Sequence, residues 1–135
     1  MIEYWEKFKA GPTKPIGERL HVTINHRGII LLNRNAHKLL GSPRAVVLFF
    51  NKANSMIGLS PAHHQLAEAF PVIPQQGGGC RIQASPFCRH FGIKPARTEA
   101  FVSPDIDPEG VLRLDLSTTV SVSSRERRKG QKSPV

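Results

Sequence analysis

The amino-acid sequence predicts a β-rich α+β protein made of two unequal copies of one ββαββ unit, paired about a pseudo-twofold axis. Three observations lead to this prediction. Apolar and polar residues alternate from Leu20 onwards, a short helix signal lies between strand signals, and the same order of signals recurs later in the chain. A chain of 135 residues has room for one domain, or for two very small units that share a core.

The first copy is predicted over residues 20–60. Asn25 and Gly28 mark a turn between two strands, because both residue types tolerate turn geometry. Asn33 is a good N-cap for a short helix, and Gly41 suits the position after its last turn. The predicted elements are strands at 20–25, 29–32, 45–50 and 56–59 and a helix at 34–40.

A linker helix is predicted over 61–71, followed by the second copy over 72–116. Ser85 is expected to cap the second helix, with Pro86 at its first position. The later elements are strands at 80–84, 100–102 and 111–116 and a helix that starts at 86 and ends before Gly92. Gly28 and Gly79 are 51 residues apart, as are Gly41 and Gly92, and this spacing places Leu31 over Ile82.

The two ends of the chain differ from the body in composition. Residues 1–19 read as an N-terminal arm that carries the aromatic residues Tyr4, Trp5 and Phe8. Residues 117–135 read as a disordered basic tail, because charge dominates and apolar periodicity is lost. The tail's candidate phosphate contacts are Arg125, Arg127, Arg128 and Lys129.

Positive charge is spread over the body and concentrated in the tail. The formal net charge is +9, of which residues 1–120 contribute +5, from 14 basic and 9 acidic residues. The last fifteen residues contribute +4, from five basic residues and one acid. Such a balance suits a polyanionic partner such as DNA or RNA. The alternative is a solvated surface that keeps a small protein soluble.

The sequence also bears on location. No apolar run approaches the roughly 20 residues that a membrane span requires. Glu3 and Glu6 give the N-terminus the wrong charge pattern for a signal peptide, so a cytoplasmic location is expected, nucleoid-associated if the protein binds DNA. Two cysteines are too few for a disulfide framework and are expected to stay reduced.

The segment 22–41 reads Val-Thr-Ile-Asn-His-Arg-Gly-Ile-Ile-Leu-Leu-Asn-Arg-Asn-Ala-His-Lys-Leu-Leu-Gly. Its turn glycine, apolar strand, short helix and second glycine resemble the swapped-hairpin module of the AbrB and MraZ DNA-binding families. The resemblance implies interleaved hairpins in one barrel, with both copies in a single chain as in MraZ-like proteins. These families usually have a basic residue after the turn glycine and a proline opening the helix, where this chain has Ile29 and Asn33 in the first copy. The corresponding residues of the second copy are Cys80 and Ala84.

The predicted function is binding of double-stranded DNA, as a small transcriptional regulator or antitoxin-like factor. Lys38 and Arg89 lie where AbrB-like proteins often have a DNA-contacting arginine. Arginine suits such a surface because its planar fork grips phosphate or the edge of guanine. The candidate residues of the body are Arg27, Arg34, Lys38, Arg89, Lys94 and Arg97. For each of them singly, plain solvation is the competing interpretation.

No constellation indicates catalysis, a metal or a cofactor, and none is expected. The spacing of Cys80 and Cys88 does not fit a zinc site, and nothing orients a Cys and His pair for nucleophilic attack. Acids in the turn 104–110 are typical caps of backbone amides, and the glycines at 77–79 lack the Lys-Ser/Thr of a phosphate loop. The second hypothesis is an RNA- or protein-assembly-associated module, docked through the aromatic arm and the basic tail. Homo-oligomerisation stays open.

Overall fold

The computed structural model describes residues 19–122, which form a β-rich α+β fold with two antiparallel sheets. This confirms the coarse part of the predicted fold class, a β-rich α+β protein. The helices are α1 Arg34–Leu39 and α2 Ser85–Phe91. The strands are β1 Val22–Ile24, β2 Ile29–Leu32, β3 Ala45–Asn51, β4 Met56–Pro61, β5 Phe70–Pro71, β6 Ile73–Pro74, β7 Cys80–Gln83, β8 Glu99–Phe101, β9 Asp105–Ile106, β10 Leu112–Asp115 and β11 Thr119–Ser121. Residues 1–18 of the predicted arm lie outside the described residues.

One sheet has six strands in the order β11-β8-β1-β2-β7-β6, and the other has five in the order β5-β3-β4-β10-β9. Strands β5 and β6 belong to different sheets but are separated by a single residue, Val72. The Val72 amide donates to the Arg44 carbonyl over 2.9 Å, which extends the pairing of β5 with β3. The segment 70–74 therefore passes directly from one sheet into the other.

Each of the two sheets contains strands from both halves of the sequence. In the six-stranded sheet β1 pairs with β8, placing Thr23 opposite Ala100. In the other sheet β3 pairs with β5, placing Ala45 opposite Pro71. Two further pairs join the halves, β2 with β7 and β4 with β10. Each half thus completes its sheets with strands of the other half.

The predicted alignment of β2 with β7, at a spacing of 51, is wrong by one residue. Leu31 is 41% exposed, whereas Ile82 is fully buried, so the two do not occupy equivalent positions. A shift of one residue moves every side chain of a strand to the opposite face. A spacing of 50 instead places the buried Ile30 over Cys80 and the buried Leu32 over Ile82. The same spacing relates the two hairpin turns, in which the Gly28 amide donates to the Asn25 carbonyl and the Gly78 amide donates to the Gln75 carbonyl.

The two helices begin differently. Asn33 caps α1 as predicted, and its Oδ1 accepts from the Ala36 amide over 2.9 Å. Helix α2 is capped at Ala84 without a side-chain hydrogen bond, so the prediction of a Ser85 cap is wrong. Ser85 lies in the first turn of α2, and its hydroxyl donates a hydrogen bond to the Arg27 carbonyl instead of capping the helix. Gly92 ends α2 in the left-handed conformation, at φ 70°, as expected of a C-terminal glycine.

The core lies between the sheets and draws on both halves. Apolar side chains that alternate along the central strands are withdrawn from solvent, which stabilises the fold by roughly 1.5–3 kcal/mol for each large aliphatic group. The largest fully buried side chains are Ile24, Ile30, Ile57, Leu59, Ile82, Leu112, Leu114, Val22, Val46 and Cys80. The halves therefore share one core, as the chain length suggested.

The predicted linker helix over 61–71 is not formed. Strand β4 continues through Pro61, and turns follow in which the Leu66 amide donates to the His63 carbonyl over 3.1 Å. Leu66 is 46% exposed, so the segment has little apolar contact with the core. A helix of this length is marginal without such packing, because nucleation is costly. The segment instead ends in β5.

The folded domain also extends beyond residue 117, where the basic tail was predicted to begin. Strand β11 pairs with β8, placing Val120 opposite Ala100, and the Val122 amide donates to the Thr98 carbonyl over 2.8 Å. A turn after β10 makes this possible, because Asp115 Oδ1 accepts from both the amide and the hydroxyl of Ser117. Residues 117–122 therefore belong to the folded domain. Neither helix within residues 19–122 is long and apolar enough to cross a membrane.

Candidate nucleic-acid interface

The first residue of each helix contacts the hairpin turn of the other half. Ser85 Oγ donates to the Arg27 carbonyl over 2.5 Å, joining α2 to the turn between β1 and β2. Arg34 Nη2 donates to the Gly77 carbonyl over 3.2 Å, joining α1 to the turn between β6 and β7. The two contacts are alike, because Arg34 and Ser85 each begin a helix and Gly77 and Arg27 each lie in a hairpin turn. Each turn is thereby fixed beside a helix that is distant in sequence.

Gly28 allows the first of these contacts to be close. Its φ is +78°, which side-chain-bearing residues rarely adopt, and an added Cβ would lie 2.9 Å from Ser85 Cα. Both the backbone conformation and the lack of space therefore require glycine. The consequence is that Arg27, the neighbouring residue, is held against α2.

Arg27, Arg89 and Lys94 line one groove of about 290 Å³ and are called here the turn–helix patch. All three are exposed, and they come from both halves of the chain. An adjoining depression of about 420 Å³ also contains Arg27 and Arg89 and extends to Ile29 and Gln83 on the outer face of β2 and β7. Three cations thus meet at one end of this strand pair.

Arg34 and Lys38 form a second site, called here the helix patch. They are exposed and one turn apart on α1, which follows β2. Since β2 and β7 are antiparallel, α1 and α2 begin at opposite ends of the pair. Arg34 follows Arg27 by seven positions, which would span about 23 Å if that segment were fully extended. Arg97 is exposed and lines neither groove of the turn–helix patch.

The predicted site residues therefore fall into two patches rather than one cluster. The structure brings the turn–helix patch together, places the helix patch at the far end of β2, and leaves Arg97 apart from both. The four tail candidates lie outside the described residues: Arg125, Arg127, Arg128 and Lys129.

Charge is segregated along the described part of the chain. Residues 19–97 contain ten basic residues and one acid, Glu68, for a net charge of +9. Residues 98–122 contain one basic residue and five acids, for a net charge of −4. Within the described range the one ion pair joins Arg113 to Asp105 over 2.8 Å, and it raises the pKa of the arginine chiefly through its hydrogen bond. Both patches belong to the basic stretch.

Sequence reasoning missed the outer face of β2 and β7, where Arg81 and Gln83 lie. The signal was present, because Cys80, Arg81, Ile82 and Gln83 alternate in polarity as a half-buried strand does. Arg81 is half-buried, and its Nε is enclosed without a hydrogen-bond partner in the described structure.

The cysteines do not form a reactive site. Both are buried and unpaired, and desolvation raises the pKa of the Cys80 thiol to about 11 and also raises that of Cys88. The thiolate that attacks substrates or binds metals is therefore disfavoured. Among residues 19–122, no three His, Cys, Asp or Glu side chains are grouped to hold a metal ion.

Comparison of the chain with protein-family models, with curated proteins and with solved structures finds no match.

Proposed function

We propose that this chain binds duplex DNA as a small transcriptional regulator or antitoxin-like factor, on the scaffold of a tandem swapped-hairpin barrel. The scaffold is supported by the order of strand pairing. From β8 the pairs run through β1, β2, β7 and β6, and after Val72 through β5, β3, β4 and β10. Strand β11, a short turn after β10, pairs with β8 again. This succession of neighbours returns to its starting strand, as in a closed barrel.

The resemblance to AbrB-like and MraZ-like proteins agrees with this topology in one particular. The hairpin of β1 and β2 lies between β8 and β7, which both belong to the second half. The segment that corresponds to β1 in the second half, β5 with β6, lies between β3 and β7. Such reciprocal insertion is the arrangement that interleaved hairpins would produce from two copies in one chain.

The observation that carries the DNA-binding proposal is the turn–helix patch itself. Arg27 reaches it from the first half and Arg89 and Lys94 from the second, through a tight contact at Gly28 that fixes the turn on α2. No acid lies among the residues that line this groove. A fixed group of exposed cations favours a regularly spaced polyanion, because each phosphate contact releases condensed counterions.

The proposal is tested by measuring the affinity of the full chain for a short labelled DNA duplex as a function of salt. The informative variant changes Arg27, Arg89 and Lys94 together to Ala. A matched control changes Arg44, Lys52 and Arg113 to Ala, which removes the same charge from exposed positions outside the two patches. The proposal expects the first variant to lose affinity and salt dependence and the control to retain most of both.

A further inference from the structure

A cavity of about 350 Å³ lies beside the C-terminal end of α2. Both sheets contribute to its walls, the five-stranded sheet through Phe50 of β3 and the six-stranded sheet through Glu99 of β8 and Thr119 of β11. Sites for small molecules typically have volumes of roughly 300–1,000 Å³. This cavity lies at the lower end of that range, which suits a ligand of few atoms.

Part of the cavity wall is apolar and aromatic. The rings of Phe50 and Phe91 lie with their centroids 5.0 Å apart and their planes tilted by 48°. Ile93 and Leu116 extend this apolar wall. All four side chains are only partly buried and pack against the core, so they are held in place while exposing apolar surface to the cavity. Such a wall favours a ligand with an apolar side chain, because contact removes apolar surface from water.

Two side chains of opposite charge, Lys94 and Glu99, also line the cavity. Glu99 is half-buried, and its Oε1 accepts a hydrogen bond from Thr119 Oγ1 over 2.9 Å, which orients the carboxylate. The Lys94 side chain is exposed and forms no hydrogen bond or ion pair with any of residues 19–122. The cation and the anion therefore share one cavity without pairing with each other, and each is available to a ligand.

We propose that this cavity binds a free amino acid with an apolar side chain. The ligand's ammonium group pairs with Glu99, its carboxylate pairs with Lys94, and its side chain packs on Phe50 and Phe91. Glu99 would repel a ligand that carries only a carboxylate, and Lys94 would repel one that carries only an ammonium group. A zwitterion is complementary to both charges. The inference goes beyond the proposed function and does not depend on it.

The test is calorimetric titration of the full chain with L-phenylalanine and with two analogues that each lack one charged group. The analogue without the ammonium group, 3-phenylpropionate, should bind at least about 10-fold more weakly, because it loses a charge-assisted hydrogen bond to the oriented Glu99. Phenethylamine lacks the carboxylate and should bind about 2- to 5-fold more weakly, because Lys94 is exposed. In amide NMR spectra the resonances of Ser55 and Gly92, which line the cavity, should shift as L-phenylalanine is added.

Two variants assign the charged groups of the ligand to the two side chains. Glu99→Gln removes the charge but keeps an oxygen that accepts from Thr119, and it should abolish the preference for L-phenylalanine over 3-phenylpropionate. Lys94→Ala should abolish the preference for L-phenylalanine over phenethylamine. The matched controls are Glu109→Gln and Lys52→Ala, at exposed turn positions outside the cavity, and both should bind as the wild type does. Thermal unfolding of each variant shows whether a loss of binding reflects a loss of folding.

Three results would overturn the inference. The first is that L-phenylalanine, L-leucine and L-methionine all fail to bind at millimolar concentrations. The second is that either analogue binds as tightly as L-phenylalanine, because one of the two charges would then make no contribution. The third is that a folded Glu99→Gln variant keeps the ligand preference of the wild type. Each of these results would leave the proposed binding of DNA unaffected, since Glu99 lines neither groove of the turn–helix patch.

Discussion

The hydroxyl of Ser85 donates a hydrogen bond to the backbone carbonyl of Arg27 over 2.5 Å, linking the second helix to the first hairpin turn across 58 residues of sequence. This contact holds Arg27 of the first half beside Arg89 and Lys94 of the second half. Its counterpart from Arg34 to the Gly77 carbonyl does the same for the second turn. The candidate binding surface is therefore a product of how the two halves interleave, and its geometry depends on these contacts.

Ser85→Ala should weaken this link without disturbing the core. The lost hydrogen bond to a carbonyl should lower the free energy of unfolding by about 0.5–1.5 kcal/mol. DNA affinity should fall as well, because Arg27 becomes less fixed beside Arg89. Urea unfolding and duplex titration measure the two effects, and Ser103→Ala, at an exposed residue without a hydrogen bond in the described structure, is the control. Equal behaviour of the two variants would show that the contact does not position the turn.

Gly28→Ala should destabilise the protein more than Gly41→Ala. Both glycines have positive φ, +78° and +101°, so both substitutions introduce backbone strain of about 1–3 kcal/mol. Only at Gly28 does an added Cβ also meet backbone, 2.9 Å from Ser85 Cα, whereas nothing lies within 4 Å at Gly41. The difference in urea unfolding free energy between the two variants measures the close approach alone. No difference would contradict the described packing of the turn on α2.

The corrected register of the repeat is tested by paired truncations. Ile82→Ala removes a fully buried side chain and should lower the free energy of unfolding by about 2–5 kcal/mol. Leu31→Ala, at a position that the sequence spacing of 51 treats as equivalent, should cost much less, because the side chain is 41% exposed. Chemical denaturation of both variants gives the comparison. Similar losses would restore the original alignment and place Leu31 in the core.

Stability should decline at alkaline pH because of the buried thiols. Burial raises the pKa of Cys80 in the folded protein to about 11, above the unfolded value near 9. Between these values the unfolded chain releases a proton that the folded protein retains, so the free energy of unfolding falls as pH rises through this window. It should not depend on this group below about pH 8. Cys80→Ala should show a smaller decline between pH 9 and 11 than the wild type, and an identical profile would argue against this assignment.

Much of the fold follows from local sequence signals. The Asn33 cap, the hairpin at Asn25 and Gly28, and the apolar strand at 45–50 are strong patterns that the structure reproduces. The predicted linker helix over 61–71 was wrong because most of its side chains are exposed, and a short helix needs an apolar face packed on a core. The short strands β5, β6 and β9 have two residues each and leave no periodic trace, so only tertiary pairing defines them.

The candidate site was harder to predict than the fold. The sequence contains the charges of Arg27, Arg89 and Lys94, but their proximity depends on pairing between strands that are distant in sequence. The separation of Arg34 from Arg27 likewise follows from the antiparallel direction of β2 and β7. The predicted site residues of the body all lie outside the strands, so they do not include Arg81 and Gln83 on the outer side of β7.

The most direct test of the central claim is the slope of the logarithm of duplex affinity against the logarithm of salt concentration. Wild-type protein should bind duplex DNA with a steep negative slope, of about −0.9 for each phosphate contacted. Loss of Arg27, Arg89 and Lys94 should make that slope shallower by up to about 2.7, while loss of Arg44, Lys52 and Arg113 leaves it nearly unchanged. A flat slope in the wild type, or equal changes in the two triple variants, would contradict a DNA interface built on the turn–helix patch.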